Sequence, residues 1–204
     1  MSANSNDLYA QEYFEYLHNR GTVRKFVRKL YLNDIRKYCI GKTIDMGCGI
    51  GELLKILPEG SIGFEVNQVA VDFCKHQDLN VQLYNFEEDD YKLKMINKGE
   101  FKTFTMNHVL EHIEDSQETV KKIFESCNRL EIERIVFTVP GYKGFQSDKT
   151  HRTYITRKYF SSNELFNDGH YKLIRSKYFP INWERFGHFF THNELRIVFN
   201  KRND

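Results

Sequence analysis

Thr43-Ile44-Asp45-Met46-Gly47-Cys48-Gly49-Ile50-Gly51-Glu52-Leu53-Leu54 decides the fold: an apolar strand carrying an acid runs into a glycine-dense turn and then a helix start. Glycine at every second position frees the backbone for positive φ and lets a ligand approach the main chain where a Cβ would collide. A helix starting near Gly51 would aim its first free N–H groups at the same spot. Two ligand classes use such a turn, and Asp45 separates them. A dinucleotide lays its pyrophosphate on a G-x-G-x-x-G turn. Here the spacing is G-x-G-x-G, Glu52 stands where the last glycine would be, and the Asp45 carboxylate would repel a phosphate. A ligand with a cationic head suits the turn better.

The run from Asp45 to Gly51 resembles the first motif of class I S-adenosylmethionine-dependent methyltransferases. That resemblance implies S-adenosylmethionine as cofactor, with Asp45 facing its amino-acid end and Gly47, Cys48, Gly49 and Gly51 forming the turn around it. Residues 61–67 read as the next strand and end in an acid. About twenty residues past the first glycine, Glu65 can accept hydrogen bonds from both ribose hydroxyls, with Val66 beside it. A third strand, residues 80–84, leads into Asn85-Phe86-Glu87-Glu88-Asp89-Asp90. The family commonly places a Gly-Asp pair here to hold the adenine amino group. This chain has Asn85-Phe86, so Asn85 or Glu87 is expected to take that bond while Phe86 covers a ring face.

Residues 101–107 read as strand four, and His108-Val109-Leu110-Glu111-His112-Ile113 resembles the family's fourth motif. The carboxyl ends of strands in an open parallel sheet face the ligand crevice, so Asn107 to His112 should border the reacting methyl. Asn107 and His108 fall on the cofactor side. Strand five, residues 134–139, ends at Pro140-Gly141, and residues 142–154 read as an exposed loop over the same crevice. A hydroxyl acceptor benefits from a base near neutral pH by roughly 10²–10⁴. Histidine has the pKa for that role, and His112 and His151 are the candidate catalytic residues. His108-x-x-Glu111-His112 with His151 also offers a nitrogen and oxygen ligand set, similar to the metal site of the small-RNA 2′-O-methyltransferases. That family has Glu where His108 stands, and Glu-His after strand four is common in metal-free relatives, so no metal is expected.

Alternating strands and helices imply an α/β, Rossmann-like, doubly wound sheet. By resemblance it has seven strands in the order 3-2-1-4-5-7-6, with strand seven antiparallel. Helices are expected over residues 7–17 and 22–38. The second carries an apolar stripe of Val23, Phe26, Val27, Leu30, Tyr31 and Ile35, and a basic face of Arg24, Lys25, Arg28, Lys29, Arg36 and Lys37. That face is either a phosphate-contacting surface or a solvated one. Asn67 caps the next helix, Asp115 starts another with Glu118 three residues on, and Thr156 caps a third reaching about residue 166. The last strands, residues 171–178 and 194–200, are joined by the aromatic segment 179–192. Residues 1–40 read as an N-terminal helical extension covering the site, and 41–204 as the methyltransferase domain of one folded unit.

The 204 residues hold 30 Lys+Arg against 28 Asp+Glu, a net charge of +2, which argues against a strongly electrostatic partner for the whole surface. Cys39, Cys48, Cys74 and Cys127 lie far apart in apolar surroundings and read as reduced core residues. The N-terminal residues lack a basic and apolar leader pattern, and no apolar run approaches 18 residues, so a soluble cytoplasmic protein is expected. The expected acceptor is a small molecule, at a hydroxyl of a sugar, lipid-linked or secondary-metabolite compound. The alternative is an RNA methyltransferase using the basic helix, although the Asn-Pro-Pro-Tyr type of motif is missing after strand four. A non-catalytic S-adenosylmethionine-binding module is the second alternative.

Overall fold

The computed structural model describes residues 22–162 and 169–202; the helix expected over residues 7–17 and the end of the one expected to reach residue 166 lie outside them. β1 (Thr43–Met46) is buried at all four positions, as a central parallel strand covered on both faces must be. It pairs in parallel with β2 (Ile62–Glu65) on one side and β4 (Thr103–Asn107) on the other, placing Asp45 between Gly63 and Thr105. β3 (Val81–Leu83) extends the sheet beyond β2, and β5 (Arg134–Pro140) beyond β4. β7 (Glu194–Lys201) runs antiparallel to both β5 and β6 (Tyr171–Phe179), giving the expected order 3-2-1-4-5-7-6. Reversal of β7 has a direct consequence: Glu194 lies opposite Pro140, so the start of β7 joins the carboxyl-end face that β1, β4 and β5 already form.

The helices follow from their caps and stripes. α1 spans Thr22–Arg36. α2 (Gln68–Lys75) starts on Asn67, whose Oδ1 accepts from the amides of Val69 and Ala70 at 3.0 and 3.3 Å. α3 (Ser116–Arg129) starts on Asp115, which accepts from the Glu118 amide at 3.3 Å, and buries Val120, Ile123, Phe124 and Cys127 against the sheet. α4 is Tyr142–Gln146, and α5 (Arg157–Ser162) begins after Thr156, whose hydroxyl accepts from the Tyr159 amide at 3.2 Å. Phe64, Phe104, Phe137, Phe160 and Phe199 fill the larger core with α3. On the opposite face, Tyr31, Leu32 and Ile35 of α1 pack on Val136 and Val198. A buried pair locks α1 there: Arg196 of β7, 2% exposed, donates to Asp34, with its guanidinium 5.4 Å from the Tyr31 ring.

Two local expectations change. No α-helix follows the glycine turn; a 3₁₀ turn at Leu54–Ile56 stands in its place. Pro58 and Gly60 stop any longer helix, and the buried Leu53 and Leu54 hold the short turn against the sheet. Residues 142–154 are not all loop, because α4 opens the segment. α4 lies so close to the residues before β7 that a Cβ on Gly144 would sit 2.7 Å from the Thr191 carbonyl oxygen. Among the described residues, no helix is long and apolar enough to cross a membrane.

Candidate active site

The glycine turn is held in a conformation only glycine takes easily. Gly47, Gly49 and Gly51 have φ of 70°, 55° and 73°. The turn folds back on β2, with the amides of Gly47 and Cys48 both donating to the Phe64 carbonyl, at 2.8 and 3.1 Å. The Cys48 side chain points into an apolar pocket with Leu54, Val71, Cys74 and Val81, so Cys48 offers a ligand only its backbone. Glu65 fastens the turn from below. Its Oε2 accepts from the Gly49 amide at 2.7 Å, and its Oε1 accepts from the amides of Val66 and Asn67 at 2.9 and 3.0 Å. Burial pushes this carboxyl up in spite of those three donors. Three of its roughly four acceptor positions are therefore taken by the chain itself.

Asp45 lies beneath the turn, 3% exposed. Its Oδ1 accepts from the Thr105 hydroxyl at 2.8 Å and the Asn107 amide at 3.3 Å. Burial pushes its pKa up from 3.8 to about 6, against the pull of those two hydrogen bonds. The other side of the Asn107 amide, Oδ1, is buried without a protein partner. A carboxylate beside an unpartnered amide oxygen is completed by a hydrogen-bond donor, and a cationic one gains most. The site therefore fits an ammonium group.

At the carboxyl ends of β2 and β3 lies a cleft of about 690 Å³ lined by Val66, Leu83, Tyr84, Asn85, Glu88, Asp89, Lys94 and Met95. Asn85 stands on its wall, donating to Glu88 at 2.9 Å and accepting from the Glu87 amide at 3.1 Å. Phe86 does not face the cleft. It is 7% exposed, lies 5.0 Å from the Tyr91 ring and belongs to the core with Met46, Phe104 and Met106. Asn85 turns outward at the start of the turn and Phe86, next in the chain, turns inward. The apolar surface for a flat ring comes instead from Val66, Leu83 and Met95, all about half exposed. Pairing of Glu65 with Leu83 across β2 and β3 brings Val66 and Leu83 to the same end of the sheet, a proximity only strand register reveals.

On the other side of Asp45, His108 has φ of 57° and both ring nitrogens on carboxylates: Nδ1 is 3.2 Å from Glu111 and Nε2 is 3.3 Å from Glu194. Both nitrogens must donate, so the ring is an imidazolium. Burial opposes that charge, but Glu194 and Glu111 outweigh it and raise the pKa to about 9. Glu194 was not legible as a site residue, since it arrives with the reversed β7. Glu111 is 1% exposed, and its Oε2 has no protein partner. Its carbonyl accepts from the amides of Arg152 and Thr153 at 2.8 and 3.1 Å, which draws the loop bearing His151 to it.

The two candidate bases meet there. His151 donates from Nδ1 to the Phe145 carbonyl at 2.7 Å and stacks on the Phe145 ring, leaving Nε2 3.8 Å from Glu111 and 4.0 Å from Asp148. The Thr150 hydroxyl donates to Asp148 at 2.7 Å, so it accepts from His112 Nδ1 at 3.0 Å and leaves His112 Nε2 free. The two imidazole rings are 4.6 Å apart. Burial pushes the His112 pKa down, against the opposing charge of Glu111. Glu111, His112 and His151 bring one donor atom each within 4.8 Å of one another.

Two arginines of the basic face of α1 are engaged with the protein, whereas Lys29 and Lys37 are exposed. Arg28 pairs with Glu52 of the glycine turn, Arg36 donates to the carbonyls of Ile56 and Cys39 at 2.8 and 3.0 Å, and Lys37 lies 3.5 Å from Asp34. Lys29 is exposed; the side chains of Arg24 and Lys25 lie outside the described residues.

Comparisons place this geometry among known proteins. A family model for a methyltransferase domain matches residues 16–203. A SAM-dependent methyltransferase from Archaeoglobus fulgidus is 18% identical, covering 98% of this chain and all of that one, with a TM-score of 0.62. The magnesium protoporphyrin IX methyltransferase of Synechocystis, solved with bound SAH, is 13% identical over 98% of this chain and 96% of its own, with a TM-score of 0.61. A small RNA methyltransferase is 17% identical over 89% of this chain and 25% of its own, also with a TM-score of 0.61. At such identities these structures attest the fold alone. No curated protein matches the chain. The family match runs through every element from α1 to β7, and by it the chain belongs to the methyltransferase domain family, as a class I enzyme with S-adenosylmethionine as its methyl donor.

Proposed function

We propose that the chain methylates a hydroxyl of a small-molecule acceptor, of the sugar, lipid-linked or secondary-metabolite kind. The observation carrying this reading is the meeting of His112 and His151, each with a free ring nitrogen, over the buried Glu111 at the carboxyl end of β4. When bound, the cofactor supplies a methyl group activated by its sulfonium. Asp45 and Asn107 would hold its ammonium, Glu65 its ribose, and Asn85 and Val66 its adenine, with the backbone of Gly47, Cys48, Gly49 and Gly51 leaving it room and His108 bordering it. Holding the acceptor oxygen in line is worth about 7–11 kcal/mol. His151 or His112 would take the acceptor's hydroxyl proton through Nε2. In this reading residues 41–204 carry the chemistry. A cytoplasmic setting fits the four free, buried cysteines.

A second reading rests on the 4.8 Å cluster: Glu111, His112 and His151 could act on the hydroxyl through a divalent cation instead of as bases. A screen of candidate acceptors for gain of one methyl by mass spectrometry tests the main reading, with and without a chelator. His151→Ala should keep cofactor affinity and lower turnover by about 10²–10⁴. Loss of cofactor affinity with turnover intact would refute the assignment, chelator-sensitive turnover would favour the cation, and salt-sensitive RNA binding abolished by Lys29→Glu would favour an RNA acceptor. Cofactor binding with no methylated acceptor in a broad screen would point to a binding module.

A further inference from the structure

The connection from β6 to β7, residues 180–192, projects beside the acceptor histidines. Tyr142 of α4 stacks on His188 at 4.4 Å, Lys143 donates to the Phe189 carbonyl at 3.2 Å, and the same short helix contributes Phe145 beneath His151. Its base is firmly tied. Asn193 donates from its side chain to the Trp183 carbonyl at 3.2 Å and accepts at its own carbonyl from the Gly141 amide at 2.7 Å. Asn182 accepts from the Tyr178 amide at 3.0 Å and from Arg157. Its tip nevertheless shows Ile181, Trp183 and Phe189 to solvent at 46%, 54% and 75% exposure. On a tied backbone these side chains stay outward, and the described residues leave about half of Ile181 and Trp183 and most of Phe189 uncovered.

The charge around this tip identifies the occupant. Lys177 near the end of β6 and Arg185 within the connection stand beside a single acid of that segment, Glu184. Glu184 lies beside Tyr154 and Tyr178, and Lys143 adds a further exposed cation. Trp and Phe with an aliphatic residue, beside Lys143, Lys177 and Arg185, match an anionic bilayer interface, where indole sits at headgroup depth and basic residues meet lipid charge. A single-stranded nucleic acid would also use aromatic faces. Ile181 offers no face to a base, however, and Arg157 is engaged with Ser176 and Asn182. A second copy on this tip would bring two cationic rims together.

We propose that the β6–β7 connection docks on anionic lipid bilayers by inserting Ile181, Trp183 and Phe189, which sets the acceptor histidines at the membrane surface. Among the acceptors of the proposed function this favours the lipid-linked class, and it rests on that reading only for the choice of acceptor. Trp183 is the sole tryptophan, so its emission reports the contact directly. The full chain is titrated with vesicles of phosphatidylcholine alone and of three parts phosphatidylcholine to one part phosphatidylglycerol. The expected result is a blue shift and co-sedimentation with the anionic vesicles only, weakened by salt. Phe189→Ser and Ile181→Ser should each lower partitioning tenfold or more while keeping wild-type thermal unfolding and cofactor affinity. Three results would overturn the proposal: no shift with anionic vesicles, partitioning unchanged in both variants, or a Trp183 shift produced by single-stranded RNA or by raising protein concentration without lipid. Vesicle binding is read without any acceptor, so an acceptor screen that fails leaves it standing, and a methylated water-soluble acceptor with no vesicle binding sinks the docking alone.

Discussion

Replacing Asp45 by Asn should make the protein more stable and worse at holding its cofactor, two effects of opposite sign from one atom. The carboxyl is 3% exposed and its pKa is raised from 3.8 to about 6 by burial. The folded state therefore holds a proton more tightly than the unfolded one. Between pH 3.8 and about 6 the unfolded chain binds fewer protons, so stability falls as pH rises through that window and stays lower above it. A displacement of about two pH units is worth about 3 kcal/mol. Asn keeps an oxygen to accept from Thr105 and Asn107 and carries no charge to desolvate. At pH 8 the variant should gain up to about 3 kcal/mol, or about 6–12 °C in Tm for a chain of this size, and the gain should vanish below pH 4. The same change removes the charge that meets an ammonium, a charge-assisted bond worth about 1.5–3 kcal/mol, so cofactor affinity should fall about 10- to 150-fold. Wild-type affinity should itself drop about tenfold per pH unit below 6, and the variant's should be flat in that range. Denaturant melts at pH 4 and pH 8 with calorimetry on adenosylmethionine decide the matter. An Asn variant less stable than wild type at pH 8, or one with undiminished affinity, would refute the reasoning.

Four further changes probe the remaining parts. In Gly47→Ala, the new Cβ would lie 2.3 Å from Val109 Cγ2 at a φ of 70°, a loss of about 2–4 kcal/mol; adding Val109→Ala should restore the clash portion and leave the backbone portion, as read by denaturant midpoints. Phe86→Ala should cost about 3–5 kcal/mol yet leave the cofactor affinity of the folded protein intact, because the ring lies in the core; a selective affinity loss would return it to the cleft. Glu65→Gln puts an amide N–H against backbone donors and should lower both stability, by about 1–3 kcal/mol, and cofactor affinity, measurable by calorimetry. Glu194→Gln removes one of the two carboxylates on His108, and NMR titration should find the His108 pKa well below about 9; an unchanged value would mean Glu111 alone holds the charge.

Features set by short-range chemistry were legible before the fold was seen. The glycine spacing, the acid at the end of β2, and the caps at Asn67, Asp115 and Thr156 all follow from the bonding needs of a few neighbouring residues. What failed depended on neighbours distant in the chain. The expected helix after Gly51 shrank to a 3₁₀ turn because Leu53 and Leu54 are held by the sheet, and Phe86 left the cleft for the core with Met46, Phe104 and Met106. The basic face of α1 looked free, yet Arg28 reaches Glu52 and Arg36 reaches Ile56. The candidate bases were chosen from strand topology, and their meeting over Glu111 depends on Arg152 and Thr153 bonding its carbonyl. Glu194 could enter only once the direction of β7 was known.

The bond from Asp34 to Arg196 spans 162 residues, and it orders events during synthesis. At about 5–20 residues per second, α1 leaves the ribosome about 8–30 s before the strand it docks on exists. Throughout that interval its Tyr31, Leu32 and Ile35 face has no Val198 to cover it. Arrival of β7 then does three things at once: it seats α1, brings Glu194 to His108, and closes the sheet edge beside β5. A nascent chain thus holds its glycine turn early and completes the His108 side of the site only once β7 has emerged.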